Sequence, residues 1–287
     1  LRSCSKNYRG VGCNCPGYRQ TLPEIIFAKM VMGMPARPLV SVIIPAYNSA
    51  EFLGRAMQSV LRQTYSHFEL IVVDDGSVDR TLQVARSFQD PRIRVVSHDE
   101  NRGPGAARNT GICSTSRDSV WIALLDSDDE WLENRLEQLL GYVDENDRVF
   151  VSDTIIRYSD SAGKVQRFPE RFSNSGVKLR WSQDTVDIDL VEFLRLSAPM
   201  LTPMIPTAHV KKYNLRYDES TRWGEDLEFY FKLFQTGLRL RLVDKALYVY
   251  YDTPGSLTTQ PRLHADLFEV YSRLMRYEKL SSEEAKA

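Results

Sequence analysis

Apolar stretches of strand length alternate with amphipathic helical patterns through the first half of the chain. Strands are predicted at 40–44, 68–73, 93–97 and 120–125. Helical spacing of apolar positions lies between them, at 51–63, 80–88 and 105–112. This alternation indicates βαβ units and a mostly parallel sheet that is buried on both faces. The chain is therefore predicted to have an α/β fold.

The pattern changes after about residue 145. A helix is predicted to start at Glu225 and end at Gly237, and further elements are predicted at 148–158 (strand), 188–196 (helix), 238–251 (strand) and 262–279 (helix). We therefore divide the chain into an N-terminal extension (1–36), a domain at 37–255 with halves at 37–145 and 146–255, and a helical tail (256–287).

The N-terminal extension lacks periodicity and contains Cys4, Cys13 and Cys15, three of the four cysteines. A C-x-C pair without a nearby histidine is a weak zinc signal. No sustained apolar region of a signal peptide is visible. We expect this stretch to be poorly ordered.

Composition excludes several classes of protein. Hydrophobic residues make up 43% and charged residues 26% of the 287 positions, as in globular proteins. The net charge of −1 gives no overall field that favours nucleic acid. Because no apolar stretch approaches the roughly 20 residues of a bilayer span, any membrane contact is expected to be peripheral.

Three carboxylates follow the strand at 120–125 within four positions, at Asp126, Asp128 and Asp129. Like charges this close repel unless a cation lies among them, and hard oxygen ligands suit a divalent metal. The alternative is that Asp129 caps a following helix. The spacing leaves both interpretations open.

Polar segments follow three of the predicted strands. They are 45–48 (PAYN), 74–77 (DDGS) and the Asp126 cluster. Ligands of parallel sheets bind outside the carboxyl ends of the strands. We therefore expect the three segments to meet in one crevice.

The helix after the third strand opens with the sequence NRGPGAARN. It differs from the dinucleotide fingerprint G-x-G-x-x-G because Arg108 replaces the third glycine. The motif is therefore a poor match for an NAD-binding loop. An arginine near a helix start is better explained as a group that binds a phosphate or a nucleobase carbonyl. Glu225 and Asp226 occupy the first turn of a later helix, where capping and the helix dipole explain acidic residues without further function.

Taken together, the segments SVIIPAYN, ELIVVDDGS, NRGPGAARNTG, LLDSDDEW and WGEDLEFYFKL resemble the family 2 glycosyltransferases of GT-A fold, in the family's order. The resemblance covers residues 40–251, and within the family the chain looks most like bacterial exopolysaccharide sugar transferases of succinoglycan type. It implies a Rossmann-like, mostly parallel central sheet flanked by helices, with a C-terminal acceptor-binding part.

The resemblance also implies roles for particular residues. It places the nucleotide sugar at Asp75, which would bind the base, at Arg108, which would hold the base or diphosphate, and at the segment Pro45, Ala46, Tyr47 and Asn48. Asp126 would reach the ribose or the metal, and Asp128 would be the direct ligand of Mg²⁺ or Mn²⁺.

Asp226 corresponds to the family's catalytic base. A divalent cation would stabilise the leaving diphosphate, and an ionised aspartate would accept the proton of the acceptor hydroxyl. A single displacement of this kind inverts the anomeric carbon. We therefore expect a UDP-sugar, with UDP-glucose as the first candidate, to give a β-linked product.

A Q-x-x-R-W motif after the E-D pair marks processive relatives, and this chain has Arg180-Trp181 before Asp226 instead. We expect transfer of one sugar per encounter to a saccharide or lipid-linked oligosaccharide, in the cytoplasm or at the inner face of its membrane. Five basic residues either contact the anionic lipid head groups of that membrane or belong to ordinary solvated surface. They are Lys211, Lys212, Arg216, Arg239 and Arg241.

Some residues and rival functions stay open. Trp131 and Trp223 either stack on sugars or pack near the site, and His264 is a candidate for the metal shell. A sugar-nucleotide nucleotidyltransferase would need a Gly-rich basic loop where 45–48 stands. A non-catalytic nucleotide-binding protein would not need Asp128 and Asp226 intact.

Overall fold

The computed structural model describes residues 37–144, 147–159, 164–168, 179–196, 201–221 and 224–253. The predicted extension (1–36) with its three cysteines and the predicted helix at 262–279 lie outside these residues. Trp223 and His264 lie outside them as well.

The first half of the domain is a parallel sheet with helical crossovers. Its elements are β1 (Leu39–Ala46), α1 (Leu53–Leu61), β2 (Phe68–Asp74), α2 (Thr81–Ser87), β3 (Ile93–Ser97), α3 (Pro104–Cys113) and β4 (Ser119–Leu124). The strands pair in the order β3-β2-β1-β4, all in parallel. Every predicted element of this half is confirmed, with each boundary within two residues.

The elements after β4 extend the same sheet with mixed pairing. They are β5 (Glu130–Trp131) and α4 (Arg135–Gly141), still in the first half, and then β6 (Val149–Ser159), β7 (Lys164–Phe168), β8 (Thr185–Ile188), α5 (Leu190–Arg195), β9 (Met204–Pro206), α6 (Thr207–Lys212), α7 (Glu225–Gln235) and β10 (Arg239–Tyr251). β6 and β10 are parallel, whereas β9 joins β4 to β6 in antiparallel register. The described residues thus form one ten-stranded sheet.

Alternating side chains of the parallel strands bury both faces of the sheet, because successive residues of a strand point to opposite sides. Val42 and Ile44 belong to the core cluster that contains Met57 of α1. Ile43 belongs to the opposite cluster, which contains Ala107 of α3. On that face, α3 packs close to β1.

The carboxyl ends of β1, β2 and β4 lie side by side, as the sequence predicted. The backbone NH of Asp75 donates to the carbonyl of Ala46 at 2.8 Å, and that of Leu125 donates to the carbonyl of Ile43 at 3.1 Å. The three polar segments therefore begin at one edge of the sheet.

Candidate active site

The segment at the end of β1 lies at the edge of the sheet where β2 and β4 also end. Pro45 and Ala46 are the last residues of β1, and Tyr47 exposes 45% of its surface. Asn48 has a positive φ of 47°. Its side chain accepts a hydrogen bond from the Val78 NH at 3.0 Å, which ties this segment to the loop after β2.

Asp75 directly follows β2 at the same edge of the sheet and is buried. Its Oδ1 accepts hydrogen bonds from His98 Nδ1 at 2.6 Å and the Arg102 NH at 3.0 Å, and its Oδ2 accepts one from the Gly103 NH at 2.8 Å. Asp74, which the sequence did not single out, has a buried Oδ1 without a hydrogen-bond partner among the described residues.

Arg108 connects the carboxylates of both halves of the domain. Its Nη2 lies 2.9 Å from Asp126 Oδ1, and its Nη1 lies 2.6 Å from Glu225 Oε1 and 3.3 Å from Asp226 Oδ1. Burial by itself lowers the pKa of Arg108, but Asp226, Asp126 and Glu225 raise it well above its ordinary value. The guanidinium is therefore permanently charged and faces carboxylates.

Asp226 stands in the first turn of α7, beside this guanidinium. Its side chain is 43% exposed, yet its Oδ1 is buried and lacks a hydrogen-bond partner among the described residues. Burial raises the pKa of Asp226 to about 7; Arg108 lowers it, whereas Glu225 and Asp126 raise it further. The residue before the helix is Gly224, in the left-handed region at φ 71°, and no side-chain capping hydrogen bond forms there. The N-cap therefore carries no capping side chain, while Asp226 does lie in the first turn of α7, as the helix-dipole alternative describes.

The aspartates after β4 have different environments. Burial, followed by the charge of Asp126, raises the pKa of Asp128. Asp129 is buried, and its carboxylate accepts hydrogen bonds from the Tyr248 hydroxyl at 2.6 Å and the Tyr251 NH at 2.9 Å. The capping interpretation of Asp129 is wrong, since α4 begins only at Arg135 and Asp129 holds β10 instead.

These residues suit a hard divalent cation by their chemistry. Burial and then the charge of Asp126 raise the pKa of Asp128, and such a cation would stabilise the charged carboxylate against both. Within the described residues, however, no group of three or more histidine, cysteine or acidic side chains would hold a metal by itself. Asp128 as a single protein ligand, with phosphate completing the shell, stays a prediction.

Other sequence candidates lie in ordinary packing or pairing. Trp131 is 2% exposed, and the guanidinium of Arg135 lies 4.5 Å from its ring centre, so it packs. Arg241 pairs with Asp147 and Asp187, which leaves it poorly suited to bind head groups. None of the helices in the described part of the chain has the length and apolar character of a bilayer span.

Sequence reasoning missed the residues that support Arg108. Asn109 accepts a hydrogen bond from the Tyr217 NH at 2.9 Å and donates one to the Tyr217 carbonyl at 3.0 Å. The ring of Tyr217 stacks on Phe229 at 4.1 Å, and the Arg108 guanidinium lies 5.5 Å from its centre. The adjacent Arg-Asn pair in the sequence was the available signal.

The sequence model of the family described as "Glycosyl transferase family 2" matches residues 41–192, more than half of the chain. The chain belongs to this family. The match includes the segments after β1, β2 and β4, and it ends before the Glu225-Asp226 pair.

Family 2 relatives of this chain include proteins of exopolysaccharide biosynthesis. It is 31% identical over 234 residues to the succinoglycan biosynthesis protein ExoO of Rhizobium meliloti, covering 80% of this chain and 65% of that protein. It is 30% identical to the uncharacterized glycosyltransferase EpsJ of Bacillus subtilis, covering 78% of this chain and 64% of that protein. The chain thus spans slightly less than two thirds of the length of these relatives.

Solved structures confirm the GT-A fold. The crystal structure of S. aureus TarS 1-349 in complex with UDP-GlcNAc has a TM-score of 0.65 at 23% identity, covering 82% of this chain and 65% of that chain. The corresponding complex with UDP has a TM-score of 0.63 at 22% identity, covering 86% and 68%. Both matches concern the fold.

Proposed function

We propose that this family 2 member is an inverting glycosyltransferase that moves one sugar per encounter from a UDP-sugar to a saccharide acceptor. The observation that carries the proposal is the meeting of Asp126 and Asp226 on the guanidinium of Arg108. It joins the end of β4, where donor phosphates would bind, to the proposed base.

The donor side of the proposal uses the ends of the parallel strands. Tyr47 and Asn48 would line the nucleotide pocket, and Asp75 would bind the base. The TarS complexes with UDP and UDP-GlcNAc support a uridine nucleotide sugar as donor. Because the sugar itself is open, UDP-glucose is the first candidate and UDP-GlcNAc the second.

The acidic cluster after β4 would hold the metal. Asp128 would be the direct ligand, and Asp126 would reach the ribose or the same ion. Mg²⁺ or Mn²⁺ bound there would stabilise the negative charge that develops on the diphosphate leaving group.

Asp226 would take the proton of the attacking acceptor hydroxyl. An acid with a pKa of about 7 is available as a base at neutral pH and is still basic enough to accept a proton. Displacement from the opposite face converts an α-linked donor into a β-linked product, as in inverting glycosidases.

The acceptor is proposed from the relatives. ExoO is named as a succinoglycan biosynthesis protein. We propose a lipid-linked oligosaccharide of exopolysaccharide biosynthesis, reached by peripheral contact at the inner face of the cytoplasmic membrane.

The deciding experiment incubates the purified chain with Mn²⁺, a lipid-linked oligosaccharide fraction and, in turn, UDP-glucose, UDP-galactose and UDP-GlcNAc. We expect acceptor-dependent release of UDP from one donor, and a β anomeric coupling in the NMR spectrum of the product. Exchange of pyrophosphate into the nucleotide sugar would instead indicate a nucleotidyltransferase. Binding without turnover would indicate a non-catalytic protein.

A further inference from the structure

A chain of hydrogen bonds lies behind the proposed base-binding aspartate. His98 Nδ1 is 2.6 Å from Asp75 Oδ1, and His98 Nε2 is 2.9 Å from Thr110 Oγ1 of α3. The side chains of His98 and Asp75 are 7% and 3% exposed. Because a carboxylate only accepts hydrogen bonds, Nδ1 must carry the hydrogen, and the Thr110 hydroxyl fixes the other side of the ring.

The hydrogen bonds to Asp75 use most of its accepting capacity. A carboxylate has about four acceptor positions, two on each oxygen. His98 and the Arg102 NH fill Oδ1, whereas the Gly103 NH takes one position on Oδ2. Within the part of the chain that the structure describes, these donors leave Asp75 with a single acceptor position, on Oδ2.

The loop that supplies these donors is pressed against the end of β2. Gly76 has a φ of 67°, and a Cβ on it would lie 2.3 Å from the carbonyl carbon of Glu100. Any larger residue at position 76 would therefore push the loop at Glu100 away from the end of β2. The arrangement of donors around Asp75 is built into the fold.

We propose that His98 is a positioning residue that sets the base selectivity of the nucleotide site. This inference rests on the proposed function, in which Asp75 binds the base. Uracil presents one ring N–H between two carbonyls, which matches a single acceptor. Guanine presents a ring N–H and an amino group side by side, which together take both oxygens of a carboxylate. The ring nitrogen of cytosine at the same position is itself an acceptor and finds no donor on Asp75.

The experiment compares His98→Ala with His98→Asn, whose amide nitrogen replaces Nδ1 as donor. Calorimetric titration with UDP and with GDP, both in Mn²⁺, gives the two affinities. In His98→Ala we expect UDP to bind about tenfold more weakly, as for a lost hydrogen bond to a charged group, and the UDP:GDP preference to fall. His98→Asn should keep both values near those of the wild type.

Kinetics separate positioning from general damage to the fold. KM for the UDP-sugar should rise in His98→Ala while kcat at saturating donor stays close to the wild type. Thr110→Val, which keeps the shape but removes the hydroxyl, should lower the UDP:GDP preference in the same direction. His67→Ala is the matched control, since His67 is exposed and contacts the Arg37 carbonyl before β2.

An unchanged UDP:GDP preference in His98→Ala overturns the inference, and so does an equal loss in His98→Asn. If His98→Ala does not fold, Thr110→Val decides by the same preference. A wild-type protein that binds neither nucleotide would overturn the proposed function itself. A wild type that prefers UDP, with a His98→Ala variant that prefers it equally, would remove only the role of His98.

Discussion

The residues of the site carry more negative charge than one guanidinium balances. Asp126, Glu225 and Asp226 surround Arg108, and Asp128 and Asp129 lie close by on the same loop. Burial, followed by the charges of Glu225 and Asp126, explains why the pKa of Asp226 rises to about 7 although Arg108 opposes the rise. The same imbalance favours the binding of a cation.

Replacing the proposed base tests its role directly. Asp226→Asn keeps the shape but removes the proton acceptor, so transfer should fall by roughly 10²–10⁴-fold. Melting temperature and UDP affinity should stay close to the wild type. Asp118→Asn, an exposed position before β4, is the matched control. A stable Asp226→Asn variant with near-normal transfer would exclude Asp226 as the base.

The pH dependence of transfer should report the same group. Because the base must be unprotonated, the rate at saturating donor should rise by about tenfold per pH unit below its pKa and level off above it. For a pKa of about 7, the rising limb of this pH–rate profile lies just below neutrality. Glu225→Gln removes a charge that raises this pKa, so the limb should move to lower pH. Initial rates from pH 5.5 to 8.5 measure both, and a limb that stays in place or moves upward would contradict the electrostatic account.

At the scale of elements, long periodic segments were predictable and short ones were not. β1, β2, α3 and β10 were found because five or more residues repeat a strand or helix pattern. β5 has two residues and β9 three, too few to show a period. The role of Asp129 was missed because its partner Tyr248 lies 119 positions away in sequence.

The contact between α3 and β1 can be tested with paired glycine substitutions. A Cβ on Gly111 would lie 2.4 Å from Ile43 Cγ2, whereas a Cβ on Gly141, in α4, would meet nothing within 4 Å. Gly111→Ala should destabilise the fold by about 1–3 kcal/mol, the usual cost of overpacking. Gly141→Ala should be neutral or stabilise by up to about 1 kcal/mol through helix propensity. Urea unfolding measures both; equal effects would show that the core yields at Ile43.

At the scale of the molecule, the site depends on contacts between distant segments. The rule for parallel sheets predicted that the ends of β1, β2 and β4 would converge. The sequence pattern alone did not place Asp226 there, because Arg108 and Glu225 are 117 positions apart. The family resemblance assigned Asp226 to the active site, but it did not predict the contact of Arg108 with Glu225 and Asp226. Neither the sequence pattern nor the family resemblance predicted the two hydrogen bonds between the Asn109 side chain and the Tyr217 backbone. An amide that binds backbone leaves no pattern in a single sequence.

Cation binding should stabilise the whole fold in a way that depends on Asp128. A ligand that binds only the folded state at about 100 times its Kd adds about 2.7 kcal/mol of stability. For a chain of this size that corresponds to several degrees in melting temperature. We therefore expect Mn²⁺ with UDP to raise Tm more than UDP with EDTA. In Asp128→Asn the Mn²⁺-dependent part of the increase in melting temperature should disappear, while the increase due to UDP alone should remain.

Without ligand, the same variant should lose no stability at pH 8. The folded-state pKa of Asp128 lies above the ordinary value of 3.8, so its contribution to stability is present below that pH and is lost as pH rises through the folded-state pKa. Asparagine removes the charge that opposes folding there, and its side-chain oxygen still accepts the hydrogen bond of Thr253. Asp118→Asn serves again as control and should keep the full Mn²⁺-dependent shift. An equal shift in Asp128→Asn would mean that the ion is held without Asp128.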